Sequence, residues 1–109
     1  MKLHKVVFRK TAQSDLRAIF AYVLEKCGSA DTALNYVRRI QRRCEEIGIA
    51  PLAYVERPDI RPGIRMAVFE RRIVILYVIQ NETIRITNIL SGSRDYEALV
   101  RSTTSPPPL

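Results

Sequence analysis

The sequence is poor in the residues that build metal and nucleotide sites. Its 109 residues include one histidine, two cysteines and four glycines. His4, Cys27 and Cys44 are too few and too widely spaced for the usual zinc frameworks, which need four ligands at short spacings. The glycines match neither a P-loop nor the dinucleotide-binding pattern. We therefore expect no metal and no cofactor.

Long apolar segments are also missing. The longest uninterrupted apolar runs, 18–24 and 73–79, have seven residues each, whereas a membrane-spanning helix needs about 20. The first ten residues lack the apolar stretch of a secretory signal peptide. These absences predict a cytoplasmic protein with no membrane partner.

Positive charge is plentiful. The chain has 18 Lys and Arg against 11 Asp and Glu, a formal net charge of +7, and arginine supplies 14 of the 18 cations. This balance favours an acidic partner or nucleic acid. Apolar residues make up 47% of the chain, enough for one modest core. We expect a single domain over 1–101 and a proline-rich tail over 102–109.

Two amphipathic helices are predicted after a short strand over 3–9. Thr11 suits the N-cap of the first helix and Gly28 its C-terminal turn, while Ser29 can cap the second helix and Gly48 can end it. The two helices would form a hairpin in which both cysteines are buried and reduced. The apolar residues at helical spacing are Ala12, Leu16, Ile19, Phe20, Val23, Leu24 and Cys27, then Leu34, Val37, Ile40, Cys44 and Ile47.

A proline-containing loop over 49–63 precedes three predicted strands over 64–69, 73–79 and 83–90. The middle run is apolar throughout, which indicates a strand covered on both faces. In the third strand the apolar residues alternate as far as Ile86, and the alternation then shifts by one residue. A β-bulge near Asn88 would account for this shift. A short helix is expected over 95–101. The fold class is α+β: an N-terminal strand, an α-helical hairpin packed on an antiparallel three-stranded meander, and a short C-terminal helix.

Three segments carry a resemblance to a known family. The first spans 8–23, where Asp15, Leu16 and Tyr22 match the family pattern. The second combines 62–65 (Pro-Gly-Ile-Arg) with the later strand 76–78 (Leu-Tyr-Val). The third is 92–95 (Gly-Ser-Arg-Asp) followed by Leu99. In their order and spacing, these segments resemble the ParE-type toxins of bacterial type II toxin–antitoxin modules, within the RelE/ParE superfamily.

The resemblance implies a small toxin that causes growth arrest and serves plasmid stabilisation. A co-expressed antitoxin would hold it inactive in a hetero-oligomer through an acidic segment. ParE-type members poison DNA gyrase, whereas RelE-type members are endoribonucleases that cut messenger RNA on the ribosome. Both branches share one fold, so the fold alone does not choose between them. A basic nucleic-acid-binding domain without toxicity is a third possibility.

The side-chain inventory favours the gyrase branch. RNA cleavage needs a positioned acid–base pair beside clustered cations. All four lysines and His4 precede the meander, and Val100 stands where some RNA-cleaving relatives carry tyrosine. A ribonuclease would have to use Arg65, Arg72, Arg94 and Tyr96. We instead expect no catalytic residue, and we expect partner binding through Arg65, Arg71, Arg72, Arg85 and Arg94.

Two other features are open to ordinary explanations. His4 is the lone histidine of an edge strand, and we expect its side chain in solvent. A run of four arginines on the second helix is either a solvated face or a docking surface for an acidic partner or nucleic acid. These arginines are Arg38, Arg39, Arg42 and Arg43.

Overall fold

The computed structural model describes residues 3–91, and it confirms the α+β class. Arg94, Tyr96, the predicted helix over 95–101 and the proline-rich tail lie outside the described residues. The elements are β1 (Lys5–Phe8), α1 (Lys10–Cys27), α2 (Ala30–Ile49), a 3₁₀ helix (Pro51–Ala53), β2 (Val55–Glu56), β3 (Ile64–Phe69), β4 (Ile73–Gln80) and β5 (Thr83–Ser91).

The strands form one mixed sheet in the order β1-β5-β4-β3-β2. β3, β4 and β5 are successive antiparallel neighbours, so the predicted meander is confirmed. The three-stranded description is nevertheless incomplete. β1 pairs in parallel with β5, and β2 pairs with β3 from within the segment predicted as a loop. β2 has only two residues and β1 is separated from β5 by both helices, so local sequence patterns do not reveal either pairing.

A β-bulge interrupts the β4–β5 ladder where the apolar parity slips. Tyr77 pairs with Ile86 and Leu76 pairs with Asn88, which leaves Thr87 as the extra residue. The Thr87 hydroxyl donates to the carbonyl oxygen of Leu76 (3.2 Å). The bulge beside Asn88 therefore confirms the prediction.

The helical hairpin packs on one face of the sheet and encloses the main core. In the middle of this core, the Tyr77 hydroxyl donates to the carbonyl oxygen of Pro51 (2.5 Å) and ties the 3₁₀ helix to β4. Burial raises the pKa of Tyr77 to about 12. The buried residues around it include Ala12, Leu16, Ile19, Val37, Ile40, Cys44, Ile47, Ile75, Ile84 and Ile86.

The helices differ from the prediction at two positions. α1 begins at Lys10 with Arg9 in the N-cap position, because the Thr11 hydroxyl donates to the Thr87 carbonyl of the sheet instead of capping its own helix. In α2 the buried stripe begins at Ala33, and Leu34 is 39% exposed. Leu34 lies about 100° further round the helix than Ala33, which turns it away from the stripe.

Gly48 lies inside α2 and does not end it, because the helix continues to Ile49. The backbone N–H of His4 donates to the carbonyl oxygen of Gly48 (3.0 Å). A Cβ atom on Gly48 would lie 2.9 Å from the His4 carbonyl oxygen and 2.8 Å from Cγ2 of Val6. Glycine is required here because the start of β1 approaches the helix closely.

The two cysteines occupy different environments. Both are free, but Cys44 is buried while Cys27 is exposed. The prediction of unpaired thiols is confirmed, and the prediction of burial is wrong for Cys27. This residue ends α1 at the turn, where the sheet no longer covers the hairpin. Burial raises the pKa of the Cys44 thiol to about 12.

Candidate partner-binding site

The arginines predicted to bind a partner do not form one cluster. Arg65 lies on the helix-covered side of the sheet, where its Nη1 donates to the Tyr54 carbonyl oxygen (2.7 Å) and its Nη2 lies 3.9 Å from Glu56 Oε2. Arg71 and Arg72 lie at the exposed β3–β4 turn. Sequence reasoning therefore identified two neighbouring arginines and one that holds the chain's own backbone.

Arg85 stands on the opposite side of the sheet from Arg65. It pairs with Val78, which packs with the smaller apolar cluster of Ile60, Ile64 and Leu76. Arg94 lies outside the described residues. The structure thus distributes the four described partner-binding positions over three surfaces: the helix-covered side, the β3–β4 turn and the opposite side of the sheet.

The β3–β4 turn has an unusual backbone conformation. Glu70 and Arg71 have φ angles of 51° and 61°, and the Arg72 N–H donates to the Phe69 carbonyl oxygen (3.1 Å). Three residues, 70–72, connect the paired residues Phe69 and Ile73. Two successive positions with positive φ favour Asn-Gly, because a side chain in the left-handed region costs about 1–2 kcal/mol. The turn holds Glu70 and Arg72 beside α2 in spite of this cost.

Aromatic rings and arginines dock the turn on α2. The rings of Tyr36 and Phe69 meet edge to face, with centroids 6.2 Å apart. The Arg39 guanidinium lies 5.2 Å from the Tyr36 centroid, and its Nη1 is 3.0 Å from Glu70 Oε2. The Arg43 guanidinium lies 5.5 Å from the Phe69 centroid. Two of the four arginines in the α2 run therefore contact their own sheet, while Arg38 and Arg42 are exposed.

An open groove of about 1280 Å³ lies between the helical hairpin and the sheet, next to this turn. We call it the hairpin groove. Its rim includes Tyr22, Lys26, Tyr36, Arg39 and Arg72, and its apolar lining includes Ile19, Val23, Ile73, Ile89 and Leu90.

The charges of the hairpin groove favour an anionic partner. Lys26, Arg39 and Arg72 line it against two carboxylates, Asp15 and Glu70. Both carboxylates already have partners, since Asp15 accepts from a backbone N–H of β5 (2.9 Å) and Glu70 pairs with Arg39. The groove can therefore hold an amphipathic segment whose carboxylates reach the cations of the rim.

The tyrosines of the rim contact cations. Tyr22 is 60% exposed, and Lys26 Nζ lies 5.6 Å from its ring centroid. Burial raises the pKa of Tyr36, with a further contribution from Glu70, while Arg72 and Arg39 oppose the shift. Sequence reasoning did not single out Lys26 or Tyr36 as site residues. The four-residue spacing of Tyr22 and Lys26 could have predicted their contact, because residues four apart are neighbours on the surface of a helix.

His4 corrects another expectation. It is half-buried, its backbone is bonded to Gly48, and its Nδ1 is buried with no hydrogen-bond partner in the described part of the chain. The tight packing of α2 against the start of β1 removes this side chain from full solvent contact.

Residues 3–91 lack the features of a membrane-spanning helix and of a metal site. Neither helix of this region combines the length and the apolar character needed to cross a bilayer. Within the same residues, no three His, Cys, Asp or Glu side chains lie together in a way that could hold a metal ion.

Comparison with known proteins identifies the family. The model of the ParE toxin of the type II toxin–antitoxin system parDE matches residues 6–96, whereas no curated protein matches. A chain from the chromosomal ParDE toxin–antitoxin system of P. aeruginosa has a similar fold, with a TM-score of 0.72 and 22% identity over 83% of this chain and 97% of that chain. A conserved hypothetical protein from Helicobacter pylori aligns at 18% identity and a TM-score of 0.46, over 84% of this chain and 97% of that chain. The family match spans most of the sequence, and the chain therefore belongs to the ParE toxin family of type II toxin–antitoxin systems.

Proposed function

We propose that this toxin acts in the cytoplasm by binding DNA gyrase and trapping it on cleaved DNA, without a catalytic residue of its own. The ParE-type resemblance supports gyrase as the target. The observation that carries the proposal is the divergence of the arginines that a ribonuclease would use.

Catalysis of RNA cleavage requires an acid–base pair and cations that converge on one phosphate. Arg65 instead donates to the Tyr54 carbonyl oxygen. β3 ends at Phe69, four residues or about 13 Å beyond Arg65. Arg72 follows the turn at that far end of the strand. Side chains bound to their own backbone or set this far apart suit a protein that acts through its surface.

We further propose that an acidic segment of the antitoxin binds the hairpin groove and forms a hetero-oligomer with the toxin. Apolar side chains of this segment would cover Ile19 and Val23, while its carboxylates would reach Lys26 and Arg72. The net charge of +7 would accelerate the encounter, and burial in the groove would slow dissociation.

The target is tested with two parallel reactions. The purified chain is incubated with gyrase, ATP and supercoiled plasmid, and separately with translating ribosomes and a labelled message. Linear plasmid that accumulates only with gyrase supports the proposal, whereas codon-specific cuts in the message, with gyrase unaffected, contradict it. The Arg72→Ala variant should lower the potency only a few-fold, as expected for one contact of a binding surface.

The antitoxin site is tested by charge reversal. Lys26→Glu with Arg72→Glu should weaken binding of the co-expressed antitoxin and reduce its salt dependence. Lys10→Glu with Arg61→Glu is the matched control, since it makes the same charge change at exposed positions outside the lining of the groove. Equal losses in both double variants would contradict a specific site in the groove.

A further inference from the structure

The face of the sheet opposite the helices, which we call the open sheet face, carries an arginine among apolar side chains. Strand pairing puts Arg85 in one row between Val7 of β1 and Val78 of β4. The rows beyond it carry Met66, Val68 and other apolar residues. Val68 is 46% exposed, so part of this apolar face is accessible in residues 3–91.

Arg85 is not satisfied in this environment. Its Nε atom is buried and has no hydrogen-bond partner among residues 3–91. β1, β3, β4 and β5 contain no Asp or Glu, so the strands around Arg85 offer no carboxylate of their own. A buried donor without a partner costs free energy, because it gives up its hydrogen bonds to water.

An apolar residue would pack between Val7 and Val78 without that cost. Arg85 as a whole is only half-buried, so its guanidinium gains a favourable role when a second chain places an acceptor against the accessible part of the group. A carboxylate is the acceptor that fits best, because it binds the planar fork with two parallel hydrogen bonds. Besides Arg85, the strand register puts Lys5 on this face, and Lys5 is also positive. Arg57 Nη1 lies 3.3 Å from Met66 Sδ on the same face, and the Arg57 guanidinium is already bound to Asp59 (2.9 and 2.6 Å).

We infer that the open sheet face is a docking surface for the antitoxin, separate from the hairpin groove, and that one antitoxin carboxylate pairs with Arg85. Apolar side chains on either side of that carboxylate cover Val7, Val78 and Val68. This inference rests on the proposed antitoxin partner and assigns it a second contact. A segment that reaches both surfaces must pass around the edge of the sheet.

Arg85→Met tests the pair because methionine replaces arginine with an unbranched apolar side chain and removes only the guanidinium. We expect the affinity for the antitoxin to fall about 30-fold or more, as for the loss of one partner of a buried charge pair. The melting temperature of the isolated toxin should stay unchanged or rise, because the variant removes an unsatisfied donor. Arg38→Met is the control on the exposed face of α2, and it should change the affinity less than about fivefold.

A merely structural role for Arg85 makes the opposite prediction, namely a lower melting temperature with unchanged affinity, and this result would overturn the inference. Oxidative footprinting of the wild-type toxin gives a test that needs no variant. Met66 on the open sheet face should become protected when the antitoxin is added. Protection of Tyr22 without Met66, or full protection of Met66 in the free toxin, would also overturn the inference.

The same titration distinguishes this inference from the proposed function. If the antitoxin protects Tyr22 and leaves Met66 reactive, the proposed binding in the hairpin groove stands and docking on the open sheet face is excluded. The absence of any binding by the wild-type toxin would overturn the proposed antitoxin partner, and the second contact with it.

Discussion

The Asp15 carboxylate accepts a hydrogen bond from the backbone N–H of Ile89 at 2.9 Å, across 74 residues of sequence. One turn earlier on α1, the Thr11 hydroxyl donates to the Thr87 carbonyl oxygen. Both contacts reach the β-bulge of β5, where the regular ladder is interrupted. Helix side chains thus bind backbone groups at the irregular part of the strand, which joins the hairpin to the sheet.

Removing this contact should destabilise the domain. Asp15→Ala leaves the Ile89 N–H without its acceptor, and we expect the free energy of unfolding to fall by about 2–3 kcal/mol. Asp15→Asn keeps an acceptor oxygen and should cost less. Urea unfolding measures both, with the exposed neighbour Ser14→Ala as the control. An Asp15→Ala protein as stable as the wild type would contradict this account of the contact.

Gly48→Ala should also destabilise the domain, although this change usually stabilises a helix interior by up to about 1 kcal/mol. The new Cβ atom would lie 2.9 Å from the His4 carbonyl oxygen, so β1 must move away from α2. We expect a loss of about 1–3 kcal/mol in the free energy of unfolding. Gln41→Ala in the same helix serves as the control, and a stabilised Gly48→Ala protein would refute the close approach.

Tyr77 should make stability depend on alkaline pH. Its folded-state pKa is about 12, above the ordinary value of 10.0, so the folded state favours the protonated phenol. The contribution to stability is complete below pH 10 and disappears as the pH rises from 10 to 12, by on the order of 2 kcal/mol.

Tyr77→Phe identifies this group. The variant should be less stable at pH 8, because the Pro51 carbonyl oxygen loses its donor, and its stability should fall less steeply between pH 10 and 12. Denaturant unfolding at each pH measures both effects. Parallel pH curves for the two proteins would show that Tyr77 does not control the alkaline loss.

Arg71→Gly should stabilise the β3–β4 turn. Arg71 has a φ angle of 61°, and glycine adopts this conformation without the steric cost. Part of the gain is lost to the greater freedom of glycine in the unfolded chain, so we expect about 0.5–1 kcal/mol. Arg72→Gly is the matched control because Arg72 is not among the residues with positive φ. A larger gain at Arg72 than at Arg71 would be inconsistent with relief of backbone strain.

The thiols should differ in reactivity. Cys27 is exposed, whereas Cys44 is buried with a pKa raised to about 12. A thiol reagent at pH 8 should therefore modify one cysteine in the folded protein and both in guanidinium chloride. The Cys27→Ser variant should be unreactive until it unfolds, and rapid modification of that folded variant would show that Cys44 is accessible.

Several elements could be predicted because their signals are local. Apolar residues such as Leu16 and Ile19 recur at the helical period, and the parity change after Ile86 revealed the bulge. The pairing of β1 with β5 has no such signal, because both helices intervene. The predicted burial of Leu34 and Cys27 was wrong. Periodicity identifies the apolar face of a helix, but it does not show where along that face the sheet stops covering the helix.

The candidate site was less predictable than the fold. Charge and composition indicated an acidic partner, and the matched segments indicated the family. The sequence did not distinguish the arginines from one another. Arg65 binds the backbone of its own chain, Arg72 lies at the hairpin groove, and Arg85 stands on the open sheet face. Their roles depend on strand register and on contacts across many residues.

The sequence by itself determined the helices, the meander, the positive charge and the family, because periodicity, composition and motif spacing are properties of neighbouring residues. Only the tertiary structure decided that Asp15 meets Ile89, that Gly48 admits the start of β1, and that Arg65 and Arg85 face opposite sides of the sheet. Strand register turns each side chain to one face or the other. Register and packing are set by the whole chain, so the local sequence does not show which arginine meets a partner.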